Sequence, residues 1–234
     1  MSTQIVLVPG FWLGAWAWDD VAPMLAARGY AVAALTLPGL EPNSRGRGEV
    51  TLDDHARAIA DALDRGVDRR VLVLHSGAAL PGTIVLDRHP DLVDHVIFVD
   101  TAPVPDGFAM NAELEGAEFP LSAAWETEMA DGSMRELTDE QLSTFRDRAV
   151  PQPGGTVRDP VVLLDPARLA VPGTVICTAF SSTDYRSYAA QGVGFLAGLL
   201  EHTALDLVDL PTGHWPMWSR PAELVELIAR AAGR

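Results

Sequence analysis

The run Val71-Leu72-Val73-Leu74 reads as a buried strand, continues through His75, and meets a helical pattern at Ser76-Gly77-Ala78-Ala79. A serine at such a joint has chemistry open to it. A sharp strand-to-helix turn pushes its Oγ out above the sheet, and the N–H groups that follow stay free at the helix N-terminus. Far along the chain, His214 stands in the segment Leu210-Pro211-Thr212-Gly213-His214-Trp215-Pro216, after the last strand-like run and before the last helical one. Taken alone, Ser76 is a helix cap and His214 a surface loop residue. Taken together they are a nucleophile and the base that could take its proton. His55, His89, His95 and His202 fall in helical or helix-flanking stretches, where exposed or capping roles are expected, and they lack metal-ligand spacing. No metal site is expected.

The elements that must position these residues follow from periodicity. Residues 5–8, 31–35, 71–74, 96–99, 174–178 and 204–208 have the length and near-continuous apolarity of strands buried on both faces. Residues 18–27, 52–63, 78–88, 185–199 and 222–232 carry apolar side chains at three- and four-residue steps, and Thr51 with Asp54 marks the start of the second of these helices. This alternation implies an α/β fold with a mostly parallel, doubly wound sheet of about six strands. Residues 104–165 break the rhythm, being irregular and rich in Pro, Gly, Met and acidic residues apart from a helical stretch at 138–148. An excursion of that length is expected to be a lid inserted into a core made of residues 1–103 and 166–234. Its aromatics Phe108, Phe119, Trp125 and Phe145 argue for packing rather than disorder.

The strand-serine-helix joint resembles the nucleophile elbow of the α/β-hydrolase superfamily, whose usual wording is Gly-His-Ser-x-Gly; His75, Ser76 and the small Ala78 match, and Leu74 stands where glycine is usual. The segment Val8-Pro9-Gly10-Phe11-Trp12 resembles the His-Gly segment after the first core strand of esterases in that superfamily, with Pro9 in place of the histidine. The resemblance implies an oxyanion hole made by the backbone N–H groups of Phe11 and Gly77. The words Gly213-His214-Trp215-Pro216-Met217-Trp218-Ser219-Arg220-Pro221 are similar to the esterase branch that holds plant methyl-ester hydrolases and hydroxynitrile lyases, which makes His214 the expected catalytic histidine.

The acid that should orient this histidine has two candidates. The superfamily usually supplies it just after the strand ending near Thr178, where the nearest carboxylate is Asp184, itself readable as a helix N-cap. Haloalkane dehalogenases of the superfamily carry it after the preceding strand, where Val96-Ile97-Phe98-Val99 ends at Asp100. Asp100 is preferred and Asp184 is the alternative. Trp12, Trp125, Trp215 and Trp218 are expected to wall an apolar pocket.

Composition narrows the function. All 17 basic side chains in the 234 residues are arginine. Without lysine there is no Schiff-base nucleophile, no pyridoxal-phosphate anchor and no phosphate-loop lysine, and no cofactor is expected. The lysine that plant hydroxynitrile lyases place after the catalytic histidine is missing too, since position 215 is Trp. A formal charge of −15 disfavours nucleic acid and anionic membrane as partners, leaving a small-molecule substrate. The single Cys177 excludes an intrachain disulfide, and the N-terminus has no basic region ahead of a long apolar run, so a cytoplasmic protein is expected. Homodimerisation stays open. The reading that leads is a serine carboxylesterase acting on a small to medium apolar ester through an acyl-enzyme. Its alternatives are a non-hydrolytic ligand-binding or biosynthetic protein on the same fold and, further behind, a cofactor-free lyase or oxygenase.

Overall fold

The computed structural model describes residues 2–63 and 66–233. The strands are β1 (Thr3–Val8), β2 (Ala31–Ala34), β3 (Arg69–His75), β4 (His95–Val99), β5 (Glu118–Phe119), β6 (Gln152–Pro153), β7 (Gly173–Cys177) and β8 (Leu205–Asp209). Six of them form one all-parallel sheet in the order β2-β1-β3-β4-β7-β8. β5 and β6 make a separate two-residue antiparallel ladder.

Near-continuous apolarity in the four inner strands has a direct structural cause, whereas β2 and β8, expected to be buried on both faces, are only half-buried because they stand at the edges of the sheet. Side chains alternate across the pleat. Ile5, Leu7, Val71, Val73, Ile97, Val99 and Ile176 enter the core on one face, while Val6, Val8, Leu72, Leu74, Val96, Phe98, Val175 and Cys177 enter the core on the other. Helices cover both. The helices α2 (Leu52–Leu63), α3 (Ala79–Arg88) and α7 (Ser182–Ala190) bring Ile59, Leu63, Ile84 and Tyr185 to the second face, and α1 (Ala22–Ala26) and α9 (Pro221–Ala232) bring Leu25, Leu224, Val225 and Ile228 to the first. Among the described residues no helix is long and apolar enough to cross a membrane.

Helix ends follow local chemistry. Thr51 and Asp54 bond reciprocally at the start of α2, through Asp54 N–H to Thr51 Oγ1 at 3.2 Å and Thr51 N–H to Asp54 Oδ2 at 3.0 Å. Three expected helices change. The stretch 18–27 divides into a 3-10 turn at Ala15–Trp18 and the short α1, and 78–88 begins as a 3-10 turn at Ser76–Ala78 before α3. The stretch 185–199 breaks because Gly192, with φ of 77°, turns left-handed after α7, and the chain resumes as a 3-10 run at Gly194–Leu200. His55 and His95 are also not exposed. Both are buried, His55 Nε2–H donating to Pro38 O (2.9 Å) and His95 Nε2 bonding Thr174 Oγ1 (3.0 Å).

Residues 104–165 hold β5, β6, α4 (Trp125–Ala130), α5 (Asp139–Arg148) and α6 (Gly155–Arg158). The order in this segment comes from an aromatic anchor. Phe145 is fully buried and its ring meets Trp12, Trp125, Trp215 and Trp218 at centroid distances of 6.5, 6.1, 5.1 and 5.2 Å. α5 is opened by a capping box in which Gln141 N–H bonds Thr138 Oγ1 at 3.2 Å. The remaining short helix, α8 (Pro216–Ser219), joins the His214 loop to α9.

Parallel register decides where side chains can meet. Val8 pairs Leu74, His75 pairs Val99, Val99 pairs Ile176 and Cys177 pairs Asp209, so the chain leaves β1, β3, β4, β7 and β8 along one edge. That carboxyl edge is where open α/β sheets bind ligands.

Candidate active site

Ser76 leaves β3 with φ of 52°, a left-handed value that a non-glycine residue adopts only where its surroundings hold it. Close approach requires small neighbours. A Cβ on Gly10 would lie 2.8 Å from Ser76 Cβ and 2.9 Å from His75 Nδ1, so only glycine lets the loop after β1 press against the elbow. Gly77 is covered in turn by the Phe11 ring, 2.4 Å from where a Cβ would be.

Leu74, the departure from the usual elbow wording, is fully buried on the α3 side of the sheet. Its space comes from Gly82 on α3, where a Cβ would meet Leu74 Cδ1 at 2.2 Å and Cδ2 at 2.6 Å. The bulk that the turn does not tolerate is thus absorbed one helical turn further on. Gly82→Ala should therefore invert the ordinary rule. Alanine inside a helix normally gains up to about 1 kcal/mol over glycine, whereas here overpacking against Leu74 is expected to cost about 1–3 kcal/mol. Thermal or urea unfolding of Gly82→Ala, Leu74→Ala and the double variant checks this. A double variant more stable than the additive sum marks the contact, and strict additivity removes it.

His214 is held from three sides. Its N–H donates to Ser133 O (2.7 Å), Thr178 Oγ1 donates to Gly213 O (3.0 Å), and the His75 ring bonds His214 O through Nε2 (2.7 Å). Gly213 has no room for a side chain, since a Cβ would sit 2.5 Å from Arg135 O and 2.6 Å from Ser133 O. So held, His214 Nε2 lies 2.7 Å from Ser76 Oγ and Nδ1 lies 2.5 Å from Asp100 Oδ2. The three side chains form one continuous line.

Asp100 leaves β4 with φ of 47° and is buried. Its other oxygen, Oδ1, accepts from Thr178 N–H (3.0 Å), Ala179 N–H (3.0 Å) and Tyr185 Oη (2.9 Å). Burial by itself would raise the carboxyl pKa, but the hydrogen bond and charge of His214 outweigh it and hold Asp100 below the usual carboxylate range. His214 shows the converse balance. Burial would lower it, and the Asp100 hydrogen bond and charge turn the shift upward. Asp184 is elsewhere engaged, as the third residue of the α7 capping box, with Ser181 N–H and Oγ bonded to Asp184 Oδ2 at 3.1 and 2.6 Å. Ser181, not Asp184, is the N-cap.

Sequence reasoning gave no role to His75, Tyr185, Gln152 or Glu128. His75 is the hub of the loops: Gly10 N–H donates to its Nδ1 (3.3 Å), so Nε2 carries the proton given to His214 O. Burial pushes its pKa down to about 3, which keeps the ring neutral. Gln152 Oε1 accepts from Trp12 N–H (3.2 Å), and Val150 N–H donates to Trp12 O (2.9 Å), fixing the loop that carries Phe11 while Trp12 sits at φ of 66°. His75 was legible as part of the elbow motif. Gln152 and Tyr185 carried no local signal, because their partners are 140 and 85 residues away.

Two cavity lobes meet at Ser76 and His214. One, of about 290 Å³, is lined by Phe11, Trp12, His75, Ser76, Phe119 and Trp215 among others; the second, of about 340 Å³, takes Leu80, Asp100, Val104, Phe180, Tyr185 and Phe195. Ser76, His214, Met110 and Glu128 line both. Two of the tryptophans expected in the pocket stand outside its lining. Trp125 borders a separate groove with Pro120, Leu121 and Arg146, and Trp218 stacks between Trp16 and Trp215 while donating Nε1–H to Ala17 O (3.1 Å). Cys177 is buried in the sheet with its thiol pushed up to about 12 by burial, so it stays protonated and unreactive.

A parallel sheet wound on both faces, with a strained serine after a central strand and a histidine after the last, defines the class. The chain belongs to the alpha/beta hydrolase family, whose model matches residues 5–227. It is 26% identical to Methylesterase 9 of Arabidopsis thaliana over 262 aligned positions, covering 98% of both chains. It is also 26% identical to a carbendazim hydrolyzing esterase of Nocardioides sp. over 244 positions, covering 97% of this chain and 98% of that one. Among solved structures, a methylesterase from Arabidopsis superposes with a TM-score of 0.74 at 18% identity, covering 100% of this chain and 99% of the other. A pyrethroid hydrolase crystal structure gives a TM-score of 0.74 at 21% identity, covering 100% and 98%. At that identity the superpositions speak for the fold.

Proposed function

We propose that this protein is a serine-dependent carboxylic ester hydrolase for small to medium, largely apolar esters. The observation that carries the reading is the line from Ser76 Oγ through His214 to Asp100, with hydrogen bonds of 2.7 and 2.5 Å. In the proposed reaction the Ser76 hydroxyl proton passes to His214 Nε2 as Oγ bonds the ester carbonyl carbon. The carbonyl oxygen takes the displaced electron pair and is stabilised by the N–H groups of Phe11 and Gly77. Collapse breaks the bond to the alkoxy oxygen, which leaves as the alcohol with the proton from His214. Water, activated by the same imidazole, then releases the acid and restores Ser76.

The remaining features support this reading. Asp100 holds His214 in the tautomer that leaves Nε2 free to accept, and stabilises the cation that forms. The two lobes that meet at Ser76 suit the acyl and alcohol parts of one ester, and their walls are mainly aromatic and aliphatic. Residues 104–165 supply Met110, Phe119 and Val157 to that wall, which fits a lid that excludes water from the acyl-enzyme. The names of the relatives point the same way, toward ester cleavage. The test is a fluorophosphonate probe combined with a panel of methyl and p-nitrophenyl esters. Labelling at Ser76 and turnover of apolar esters are expected; a protein that is folded, unlabelled and inert toward the panel is a binding protein on this fold and not a hydrolase.

A further inference from the structure

Glu128 is the unusual member of the cavity wall. It is half-buried on α4, and it is one of the four residues that line both lobes, together with Ser76, His214 and Met110. A molecule that fills both lobes at Ser76 therefore has Glu128 in its wall. Its surroundings are acidic or neutral: Asp131 and Ser133 line the second lobe, and His214 is the nearby base. Among the described residues no arginine makes an ion pair with Glu128 or Asp131; Arg135 donates to Thr178 O (3.1 Å) and Ala179 O (3.0 Å), and Arg146 lies over the Trp125 ring.

A carboxylate in a largely apolar pocket is costly unless something answers its charge. Burial raises the Glu128 pKa, with only partial relief from His214 and Ser133. The chain has no lysine, and its formal charge of −15 draws cations toward it and repels anions. In the proposed ester cleavage Asp100 is the carboxylate bonded to His214 Nδ1, and Glu128 acts on that ring through charge without a hydrogen bond to it. A group of the opposite sign on the substrate would satisfy it.

We propose that Glu128 selects the substrate: the preferred esters carry a protonated amine, which pairs with the Glu128 carboxylate while the ester carbonyl lies at Ser76. This rests on the ester hydrolase reading above and narrows it from apolar esters to apolar esters bearing one cationic nitrogen. The aromatic wall of Phe11, Trp12, Phe119 and Trp215 takes the hydrocarbon body, and the ammonium takes the polar end. A charge-assisted hydrogen bond in this setting is strong and directional.

The experiment compares methyl 3- and 4-(aminomethyl)benzoate with methyl 3- and 4-ethylbenzoate, which replace the ammonium by a methyl group of similar size. The amino esters are expected to have kcat/KM about tenfold or more above their neutral counterparts, mostly through a lower KM. In Glu128→Gln that ratio should fall to about one, and Glu128→Asp should retain part of it. Equal kcat/KM in the wild type, or a preference that survives Glu128→Gln, overturns the proposal. Titration with benzylamine and benzyl alcohol separates this from the fate of the hydrolase reading. If no ester is cleaved, tighter binding of benzylamine that disappears in Glu128→Gln still supports an ammonium site, and equal affinities reject it.

Discussion

Ser76→Ala should lower ester turnover by at least about 10⁴-fold and leave the protein folded. Removing the nucleophile of a serine-histidine-acid site costs that much or more, and what remains comes from binding and oxyanion stabilisation alone. The side chain is half-buried and, among the described residues, its side-chain hydrogen bond is the one to His214 Nε2, so little packing is lost. Alanine keeps a Cβ at φ of 52°, so the backbone strain stays as it is, and thermal stability should be unchanged or slightly raised. Initial rates on short-chain p-nitrophenyl esters, with a melting curve beside them, check both halves. Turnover within tenfold of the wild type would remove Ser76 from the chemistry.

Asp100→Asn should be the second large loss, about 10⁴-fold in kcat, although it changes only one atom. The asparagine amide would present a donor to His214 Nδ1 and favour the tautomer in which Nε2 carries a proton and cannot accept from Ser76. The pH dependence gives an independent reading. Turnover requires neutral His214, so activity is present above its pKa and is lost as pH falls through it. Asp100 raises that pKa above the ordinary 6.5 despite burial, so the acid limb of kcat/KM in the wild type should lie above that value. In Asp100→Asn the two largest raising influences are gone, burial is opposed only by the charges of Glu128 and Asp131, and the limb should move down. Asp184→Asn, by contrast, should leave kcat within about twofold and cost at most about 1 kcal/mol of α7 capping. A loss of turnover in Asp184→Asn with none in Asp100→Asn would reverse the assignment.

Much of the frame was legible from residues alone. All six strands of the main sheet were visible as short apolar runs; the four inner strands bury both faces, which writes a nearly continuous run, whereas the edge strands β2 and β8 are only half-buried. The capping pair Thr51 and Asp54 was visible because its partners are three residues apart. The breaks in the first and fourth expected helices were not, since apolar spacing continues through Gly192, whose φ of 77° ends α7. Leu74 departs from the usual elbow wording, and what accommodates it, Gly82, lies eight positions away, one helix turn into α3.

By itself, then, the amino-acid sequence determined the parallel architecture, the joint that carries Ser76 and the loop that carries His214. These depend on periodicity and on turn chemistry, which act over a few residues. Only the tertiary structure decided which carboxylate lies beside His214, that His75 ties three loops together, that Gln152 holds the Trp12 backbone, and that Trp125 and Trp218 stand outside the cavity lining. The physical reason is distance along the chain. His214 and Asp100 are 114 residues apart, His75 and His214 139, and Trp12 and Gln152 140. Hydrogen bonds act over about 3 Å, so their partners are chosen where the parallel strands end side by side, and no pattern within a short window of sequence records that choice.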